Sequence, residues 1–250
     1  MLNHTFKLSS RYDFESVSLL IRARKPKACK GGNQKLKLHL FKGEWVLQLF
    51  IVPTEWIEGS PYTHSAKRFK EGELLVCDDA CQHRSDKGGS CYVDGLREVK
   101  GAILKAQKGA LFDHPHQEIE LEPFNYLVRS SVWGDVSRLP EEAQEVLIPL
   151  LELAGVRLAY SAGWRSAHMR PYKGLMQAST QSPQDALEAL RLGWSPYDSS
   201  DKLDQEPLRG LKGKPAYRCP VPNGGRDSAL GCSVCPIQCN GSRLVLASHH

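Results

Sequence analysis

FNYLVRSSVWGDVSRLPEEAQEVLIPLLELAGVRLAYSAGW, residues 124–164, is the stretch whose pattern decides the predicted fold of this chain. Its first ten residues, FNYLVRSSVW, predict a β-strand. PEEAQEVLIPLLELAG predicts a helix, because Pro140 lies near its start, acidic residues occupy its first turn and Gly155 ends it. VRLAYSAGW predicts the next strand. The order strand, helix, strand is typical of a βα unit in a parallel sheet.

The same alternation continues toward the C-terminus. KGLMQAST (173–180) predicts a strand, and Ser182 with Pro183 opens the helix PQDALEALRLG. WSPYD (194–198) and RLVLASHH (243–250) predict two further strands. Strands that alternate with helices of about 10–15 residues predict an α/β fold. We therefore expect a mainly parallel sheet or a partial (β/α) barrel.

The N-terminal part of the chain has a different pattern. Residues 12–24 predict a short helix, and LKLHLF (36–41) with WVLQLFIV (45–52) predicts a β-hairpin layer. GELLVC (72–77) predicts a short strand, and residues 93–112 contain a helical pattern. These changes predict three segments: an N-terminal α+β layer with the hairpin (1–70), an α/β core (71–198), and a linker with a C-terminal cysteine-rich metal-binding loop and a last strand (199–250).

Four cysteines lie close together near the C-terminus, in CPVPNGGRDSALGCSVCPIQCNG (219–241). They are Cys219, Cys232, Cys235 and Cys239. Two residues between Cys232 and Cys235 allow both sulfurs to reach one metal while backbone amides turn toward them. The set therefore predicts a closed four-thiolate site, which either a structural zinc or a [4Fe–4S] cluster would satisfy.

Three more cysteines, Cys77, Cys81 and Cys91, lie in VCDDACQHRSDKGGSCY (76–92). Three thiolates leave one iron of a cubane cluster open to a substrate or cofactor, and they leave one position open on zinc. His83 is the residue that would close such a site as a fourth ligand. The alternative without a metal is that Cys77 is a buried thiol at a strand end and the other two are incidental.

Small and polar residues follow the predicted strands at their carboxyl ends, where parallel α/β folds place their binding sites. Each one also has an ordinary structural explanation as a turn or cap residue. Their recurrence at successive strand ends predicts a ligand pocket, in which Asp135 and Arg165 would hold polar groups. The candidate residues are Ser130, Ser131, Asp135, Ser161 and Arg165.

Composition limits the class of protein. A hydrophobic fraction of 41% in 250 residues is enough for a packed core without cross-links. The N-terminus has no signal-peptide pattern and no stretch is long enough to span a membrane, so we expect a cytoplasmic protein without a membrane partner. In that compartment clustered cysteines bind metals more often than they form disulfides, which are the alternative. The common hydrolase and nucleotide-binding motifs are absent.

The net charge of +5 gives weak support to a polyanionic partner. Basic residues gather in and before a loop near the N-terminus: Arg22, Arg24, Lys25, Lys27, Lys30, Lys35 and Lys37. Such a run binds nucleic-acid phosphates or forms solvated surface. It supports an alternative function, a zinc-stapled protein that binds nucleic acid or a host protein without catalysis.

The ordered motifs resemble a group of uncharacterised cysteine-rich proteins of phages and plasmids. The resemblance runs from about residue 70 to the end and implies no established activity. Its motifs are DDACQHRSDKGGSCYV (78–93), KAQKGAL (105–111), VRSSVWGD (128–135), AGWRSAHMRPYKGLMQAST (162–180), SPQDALEALRLGW (182–194) and the cysteine segment 219–241. It implies a phage or mobile-element protein in a host cytoplasm.

Parts of the pattern are also similar to radical S-adenosylmethionine (SAM) enzymes, which combine a partial barrel, a three-cysteine loop and often a C-terminal auxiliary cluster. This resemblance implies an open [4Fe–4S] cluster on Cys77, Cys81 and Cys91. It also implies an auxiliary cluster on the C-terminal quartet and SAM beside Ser130, Ser131 and Asp135. The chain departs from those enzymes in the nine residues between Cys81 and Cys91. We therefore expect an iron–sulfur protein, with zinc held by the three cysteines and His83 as the alternative.

Overall fold

The computed structural model describes residues 5–26, 41–58, 66–89, 98–112 and 118–198, together with two strands at 216–218 and 244–246. The strands are β1 (Phe6–Ser9), β2 (Arg11–Asp13), β3 (Val17–Arg24), β4 (Trp45–Pro53), β5 (Glu118–Leu121), β6 (Tyr126–Trp133), β7 (Val156–Leu158), β8 (Tyr160–Ser161), β9 (Gln177–Thr180), β10 (Pro196–Asp198), β11 (Ala216–Arg218) and β12 (Leu244–Leu246). The α-helices are α1 (Glu55–Glu58), α2 (Ala66–Val76), α3 (Lys100–Gln107), α4 (Gln144–Glu152) and α5 (Pro183–Arg191). Short 3₁₀ helices are Ser85–Lys87, Val136–Arg138, Glu141–Ala143 and Ala167–Tyr172.

The central sheet has the strand order β2-β3-β4-β6-β7 and is mixed. β3 is antiparallel to both of its neighbours, whereas β4, β6 and β7 run parallel to one another. Every residue of β4 is buried, and so are all residues of β3 except the last. Burial on both faces explains why β4 has a nearly continuous apolar run rather than alternation.

Two further sheets flank this one. β8, β9, β10, β12 and β11 are neighbours in that order and pair in parallel. β1 and β5 form a two-stranded antiparallel sheet. One hydrophobic core joins these parts, because buried side chains from Leu8 to Trp194 belong to the same cluster.

The predicted mainly parallel sheet or partial (β/α) barrel is wrong. The described strands divide among three sheets, and the central sheet is mixed, with β2 and β7 as its outer strands in this part of the chain. Its longest ladder, the eight residue pairs between β3 and β4, is antiparallel. The error begins at residues 12–24, which were expected to be helical. Within β3, the apolar residues at 17, 19, 21 and 23 alternate with Ser18, Arg22 and Arg24, so a period-two strand signal was present and is interrupted only at Leu20.

The predicted N-terminal hairpin layer is also corrected. β4 forms where WVLQLFIV predicted a strand, but the antiparallel neighbour that the structure gives it is β3, and β6 lies on its other side. The expected first arm of the hairpin, residues 36–41, lies outside the described residues except for Phe41. Strands β2, β3 and β4 are therefore part of the central sheet, whereas β1 pairs with β5. The division into three segments stays a prediction.

GELLVC, predicted as a strand, is the end of helix α2. Gly72, Glu73 and Val76 are buried and Phe69 is partly buried, which is the spacing of one helical face. Leu74 and Leu75, on the other face of the helix, are 45% and 37% exposed, so the run ELLV is not buried throughout. The first cysteine cluster consequently follows a helix.

Predictions for the middle of the chain are confirmed at the level of individual elements. β6, α4, β7, β9, α5 and β10 lie where the sequence predicted strands and helices. Ser182 caps α5 by accepting a hydrogen bond from the Asp185 amide (3.1 Å). Within the described ranges, no helix has both the length and the apolar character needed to cross a membrane.

Candidate functional site

Cys77 and Cys81 lie on a loop, residues 77–89, that we call the cysteine loop. The Cys77 amide still donates to the Glu73 carbonyl oxygen (2.9 Å), which continues the last turn of α2. The Cys81 amide donates to the Asp78 carbonyl oxygen (3.0 Å) and closes the next turn. Both cysteines are half-buried thiols. The end of a helix therefore places two of the predicted ligands in one compact turn.

Arg84 holds the cysteine loop together from inside. Its side chain is only 5% exposed and forms ion pairs with Asp79 and Asp86. It also donates to the Cys77 carbonyl oxygen (3.5 Å). Burial acts to lower the pKa of Arg84, but the hydrogen bonds to Asp86 and Asp79 raise it overall, so the guanidinium stays charged. The loop has a defined shape that depends on its own side chains.

Glu73 ties the far side of the loop to α2. This carboxylate is 2% exposed, and its Oε2 accepts hydrogen bonds from the Ser85 amide (3.2 Å) and hydroxyl (2.5 Å). Pairing of this kind is what a buried carboxylate requires. The contact joins α2, which precedes the cysteine loop, to the 3₁₀ helix Ser85–Lys87 within that loop.

The Cys81 thiol lies among backbone amides and carboxylates. Burial raises its pKa above the ordinary value of a thiol, and the Asp135 and Glu73 carboxylates raise it further. Hydrogen bonds from the His83 and Arg84 backbone amides act in the opposite direction. Amides two and three residues beyond a cysteine are the donors that a metal-thiolate knuckle uses, because they stabilise negative charge on sulfur.

Asp135 connects the cysteine loop to two strands of different sheets. Its Oδ1 accepts from the Ser137 amide (2.9 Å) and the Ser161 hydroxyl (2.5 Å), and its Oδ2 accepts from the Ala162 amide (2.6 Å). The Ser137 hydroxyl in turn donates to Oδ2 of Asp78 in the cysteine loop (2.9 Å). We call these five residues the Asp135 network. It joins the ends of β6 and β8 to the loop.

The Asp135 network is tightly packed. Burial raises the pKa of Asp135, and the hydrogen bonds from Ser161, Ser137 and Ala162 offset part of that rise. Gly163 has no room for a side chain, because Ser137 Oγ and Asp78 Oδ2 occupy the position of a Cβ. Both oxygens of Asp135 accept hydrogen bonds within the protein. Asp135 and Ser161, predicted as ligand-binding residues, are therefore parts of the internal framework.

Ser130 and Ser131 lie in a bulge of β6. Between the pairs Gln48–Arg129 and Phe50–Trp133, one residue of β4 faces three residues of β6. Ser131 has a φ of 51°, in the left-handed region that non-glycine residues seldom adopt. The hydroxyl oxygens of Ser130 and Ser131 are buried and have no hydrogen-bond partner in the described part of the chain. These two predicted residues differ from the other three in this respect.

Arg165 does not join this site. Its Nη2 pairs with Asp185 (2.7 Å) and Glu188 (2.5 Å) of α5, and its guanidinium lies over the Trp164 ring at 4.0 Å from the centroid. The side chain is 38% exposed. The carboxyl partners of Arg165 lie on α5 and not in the Asp135 network, and the prediction that Arg165 binds a ligand stays a prediction.

The remaining predicted ligands lie outside the described residues: Cys91, Cys219, Cys232, Cys235 and Cys239. In the ranges that the structure describes, no group of three or more His, Cys, Asp and Glu side chains is arranged to hold a metal ion. His83 is half-buried and follows Cys81 in the loop, but it does not complete such a group. A metal at the cysteine loop would need ligands from outside the described residues.

The basic run is only partly described. Arg22 is buried and donates to Gln48 Oε1 (3.0 and 2.6 Å) and Glu98 Oε2 (2.9 Å). Lys25 pairs with Glu44 and lies over the Trp45 ring at 3.7 Å from the centroid. The members from Lys27 to Lys37 lie outside the described residues. Arg22 thus supports the sheet and is not part of an exposed basic surface.

Sequence reasoning missed four residues that shape the site: Glu73, Asp78, Arg84 and Ser137. A partial signal exists in DDACQHRSD, where acidic residues flank Arg84 at short spacing. Asp78 and its partner Ser137 come from distant parts of the chain, so no local pattern reveals their contact. Comparison with protein-family models, with curated proteins and with solved structures finds no match to this chain.

Proposed function

We propose that this chain is a metal–thiolate protein in which Cys81 of the cysteine loop is a metal ligand. The observation that carries the proposal is the compact turn that holds Cys77 and Cys81 together, in which the Cys81 amide donates to the Asp78 carbonyl oxygen (3.0 Å). The backbone amides of His83 and Arg84 also favour the Cys81 thiolate, although burial raises its pKa overall. Amide donors around a sulfur orient a thiolate ligand and tune its charge. A cysteine with only a packing role needs no such donors.

The shape of the loop supports a binding role. Arg84 and Glu73 hold the loop through contacts that involve no metal. A metal is therefore not needed to order residues 77–89, and the loop offers a preorganised ligand. The Asp135 network fixes the same loop against β6 and β8. A rigid support of this kind keeps a thiolate in position for a metal.

The other ligands in this proposal come from the cysteines that the sequence places nearby. Cys77 lies in the same loop as Cys81, and Cys91 lies ten positions after Cys81 in the sequence. The quartet at Cys219, Cys232, Cys235 and Cys239 is proposed as a second centre. Thiolates suit zinc and iron–sulfur clusters alike, so the shared chemistry is a thiophilic metal. A reducing cytoplasm would keep these cysteines as thiols.

We do not extend the proposal to radical SAM chemistry. That expectation depended on a barrel strand directly before the cysteine loop, and α2 occupies this place. Of the residues expected beside the cofactor, Asp135 is engaged in the internal network. The nucleic-acid alternative gains no support from Arg22, which is buried and paired.

The test is metal analysis of the full chain, produced anaerobically without a histidine tag, together with an absorption spectrum. We expect at least one tightly bound iron or zinc per chain in the wild type. Broad absorption at about 400 nm together with bound iron would identify an iron–sulfur cluster. A colourless protein that contains zinc would have a zinc site.

Cys81→Ser and Cys232→Ser separate the two proposed centres, and Cys29→Ser is the control because this cysteine lies outside both clusters. We expect Cys81→Ser to lose the metal of the first centre and Cys232→Ser to lose that of the second. Cys29→Ser should retain both. A wild-type protein that contains no metal, or a Cys81→Ser protein with full metal content, would contradict the proposal for the cysteine loop.

A further inference from the structure

The bulge in β6 is a strained polar feature inside an otherwise apolar strand. Three residues, Ser130, Ser131 and Val132, face Leu49 alone on β4. Ser131 has a φ of 51°, which is unfavourable for a residue with a Cβ. Bulges and strained residues of this kind are concentrated beside binding and active sites, where they redirect side chains.

The two serine hydroxyls in the bulge have no hydrogen-bond partner among the described residues. Ser130 is 2% exposed, and the Oγ atoms of Ser130 and Ser131 are buried without a hydrogen bond among the described residues. The Trp133 indole N–H, three residues after Ser130, is in the same condition. Most buried polar atoms in proteins are paired, so three unpaired donors within four residues require an explanation. A bulge could be built with alanine, which avoids this loss.

The position of the bulge is fixed relative to the cysteine loop. Gly134, directly after β6, has a φ of 79°, and a Cβ there would lie 2.7 Å from the Ile51 Cβ. The Asp135 amide donates to the carbonyl oxygen of Val76, the last residue of α2 (2.8 Å). β6 also contacts β8 of the second sheet. The bulge therefore lies at the end of β6 that is close to β8 and to the cysteine loop.

The charges around the bulge favour an uncharged ligand. In the described part of the chain, Arg129 donates no hydrogen bond to the hydroxyl of Ser130 or Ser131. The buried ionisable group that follows the bulge is Asp135, which would repel an anion. The unpaired groups are hydroxyls and an indole N–H, and these suit oxygen atoms of a neutral molecule.

From these observations we propose that Ser130 and Ser131 bind an uncharged small molecule that carries hydroxyl or carbonyl oxygens. The bound molecule supplies the hydrogen bonds that the fold leaves unmade. This proposal is separate from that of the metal, because the bulge residues include none of the proposed metal ligands.

The first test needs no knowledge of the ligand. We expect Ser130→Ala and Ser131→Ala to leave the urea midpoint of the unliganded full chain unchanged or raised, because each removes an unpaired polar group. Ser137→Ala, the matched control, removes a hydroxyl that is bonded to Asp78 and should lower the midpoint. A lowered midpoint in both bulge variants would assign their hydroxyls to the framework and overturn the proposal.

The second test is isothermal titration with ribose and adenosine as neutral probes and inorganic phosphate as the anionic comparison. We expect at least one neutral probe to bind and phosphate to give no heat. The double variant Ser130→Ala/Ser131→Ala should bind about tenfold more weakly, since two hydrogen bonds are lost. Binding of phosphate, absence of heat with both neutral probes, or unchanged affinity in the double variant would overturn the proposal.

Metal content distinguishes this proposal from that of the metal–thiolate centre. Cys81→Ser should retain binding of the neutral probe, and the double serine variant should retain its metal. Loss of probe binding in Cys81→Ser would show that the molecule binds at the metal and not at the bulge.

Discussion

Asp135 follows Ser130 by only five residues, yet the Asp135 network and the β6 bulge differ in how their polar side chains are paired. In the network, both Asp135 oxygens accept hydrogen bonds, and the Ser137 and Ser161 hydroxyls each donate to a carboxylate. In the bulge, the Ser130 and Ser131 hydroxyls have no described partner. The hydrogen-bond partners of a buried serine therefore decide whether it supports the framework or is a candidate binding group. The residue type alone does not distinguish the two roles.

The largest effect should come from breaking the network at its centre. Asp135→Ala leaves the Ser137 and Ala162 amides and the Ser161 hydroxyl without their acceptor. We expect a loss of about 3 kcal/mol or more in the free energy of unfolding, at about 1–3 kcal/mol for each buried group left unpaired. Urea denaturation at neutral pH measures it. A loss below about 1 kcal/mol would show that the network does not hold the fold together.

Gly163→Ala tests the packing of the network without removing a hydrogen-bonding group. The added methyl group meets Ser137 Oγ and Asp78 Oδ2, so one of them must move. We expect a loss of about 1–3 kcal/mol, the usual range for overpacking. Gly101→Ala is the control, because a Cβ there meets nothing within 4 Å and alanine favours a helix. Equal stability of the two variants would contradict this packing.

Tyr126, at the start of β6, provides a hydroxyl that does have a partner, because it donates to the Leu150 carbonyl oxygen (3.0 Å). Tyr126→Phe should cost about 1 kcal/mol at pH 7. Burial raises the pKa of Tyr126, so the folded protein retains this proton after the unfolded chain has lost it. Wild-type stability should therefore fall as the pH rises above about 10, the ordinary pKa of tyrosine.

The alkaline part of this prediction has its own check. Tyr126→Phe should weaken the dependence of stability on pH above about 10, and the buried Tyr172 accounts for part of the dependence that remains. Urea denaturation at several alkaline pH values measures the slope. The same slope in wild type and variant would show that the Tyr126 phenol is not protected by burial.

The smallest effect should come from Arg165→Ala. The ion pairs with Asp185 and Glu188 are partly exposed, so screening by water limits their contribution to about 0–1 kcal/mol. Metal content and binding of the neutral probe should be unchanged. A loss of either one in Arg165→Ala would bring this residue back into the site and weaken the contrast between framework and bulge.

Several parts of the fold were predictable because their signals are local. Ser182, Pro183 and the amphipathic pattern after them define α5, and the stretch FNYLVRSSVW at residues 124–133 defines β6. The sheet arrangement was not predictable in this way. Residues 17–24 alternate between apolar and polar residues except at Leu20, so β3 has a local strand signal that the helix prediction overlooked. Its antiparallel pairing to β4 depends on contacts across the sheet.

The candidate site divides in the same manner. Cysteine spacing marked Cys77 and Cys81, and their place on one compact loop agrees with it. The choice among Ser130, Ser131, Asp135, Ser161 and Arg165 required the structure. Their recurrence after strands selected all five, whereas only Ser130 and Ser131 retain unpaired hydroxyls in the described residues.

The sequence by itself determined the positions of most elements in the middle of the chain and the two cysteine clusters, because capping, turns and ligand spacing depend on residues a few positions apart. Only the tertiary structure decided the mixed sheet, the helix before the cysteine loop and the division between Asp135 and the bulge. These depend on contacts between distant residues, such as Asp78 with Ser137 and Asp135 with Ser161. Burial and pairing arise when such segments meet, and no local pattern encodes them.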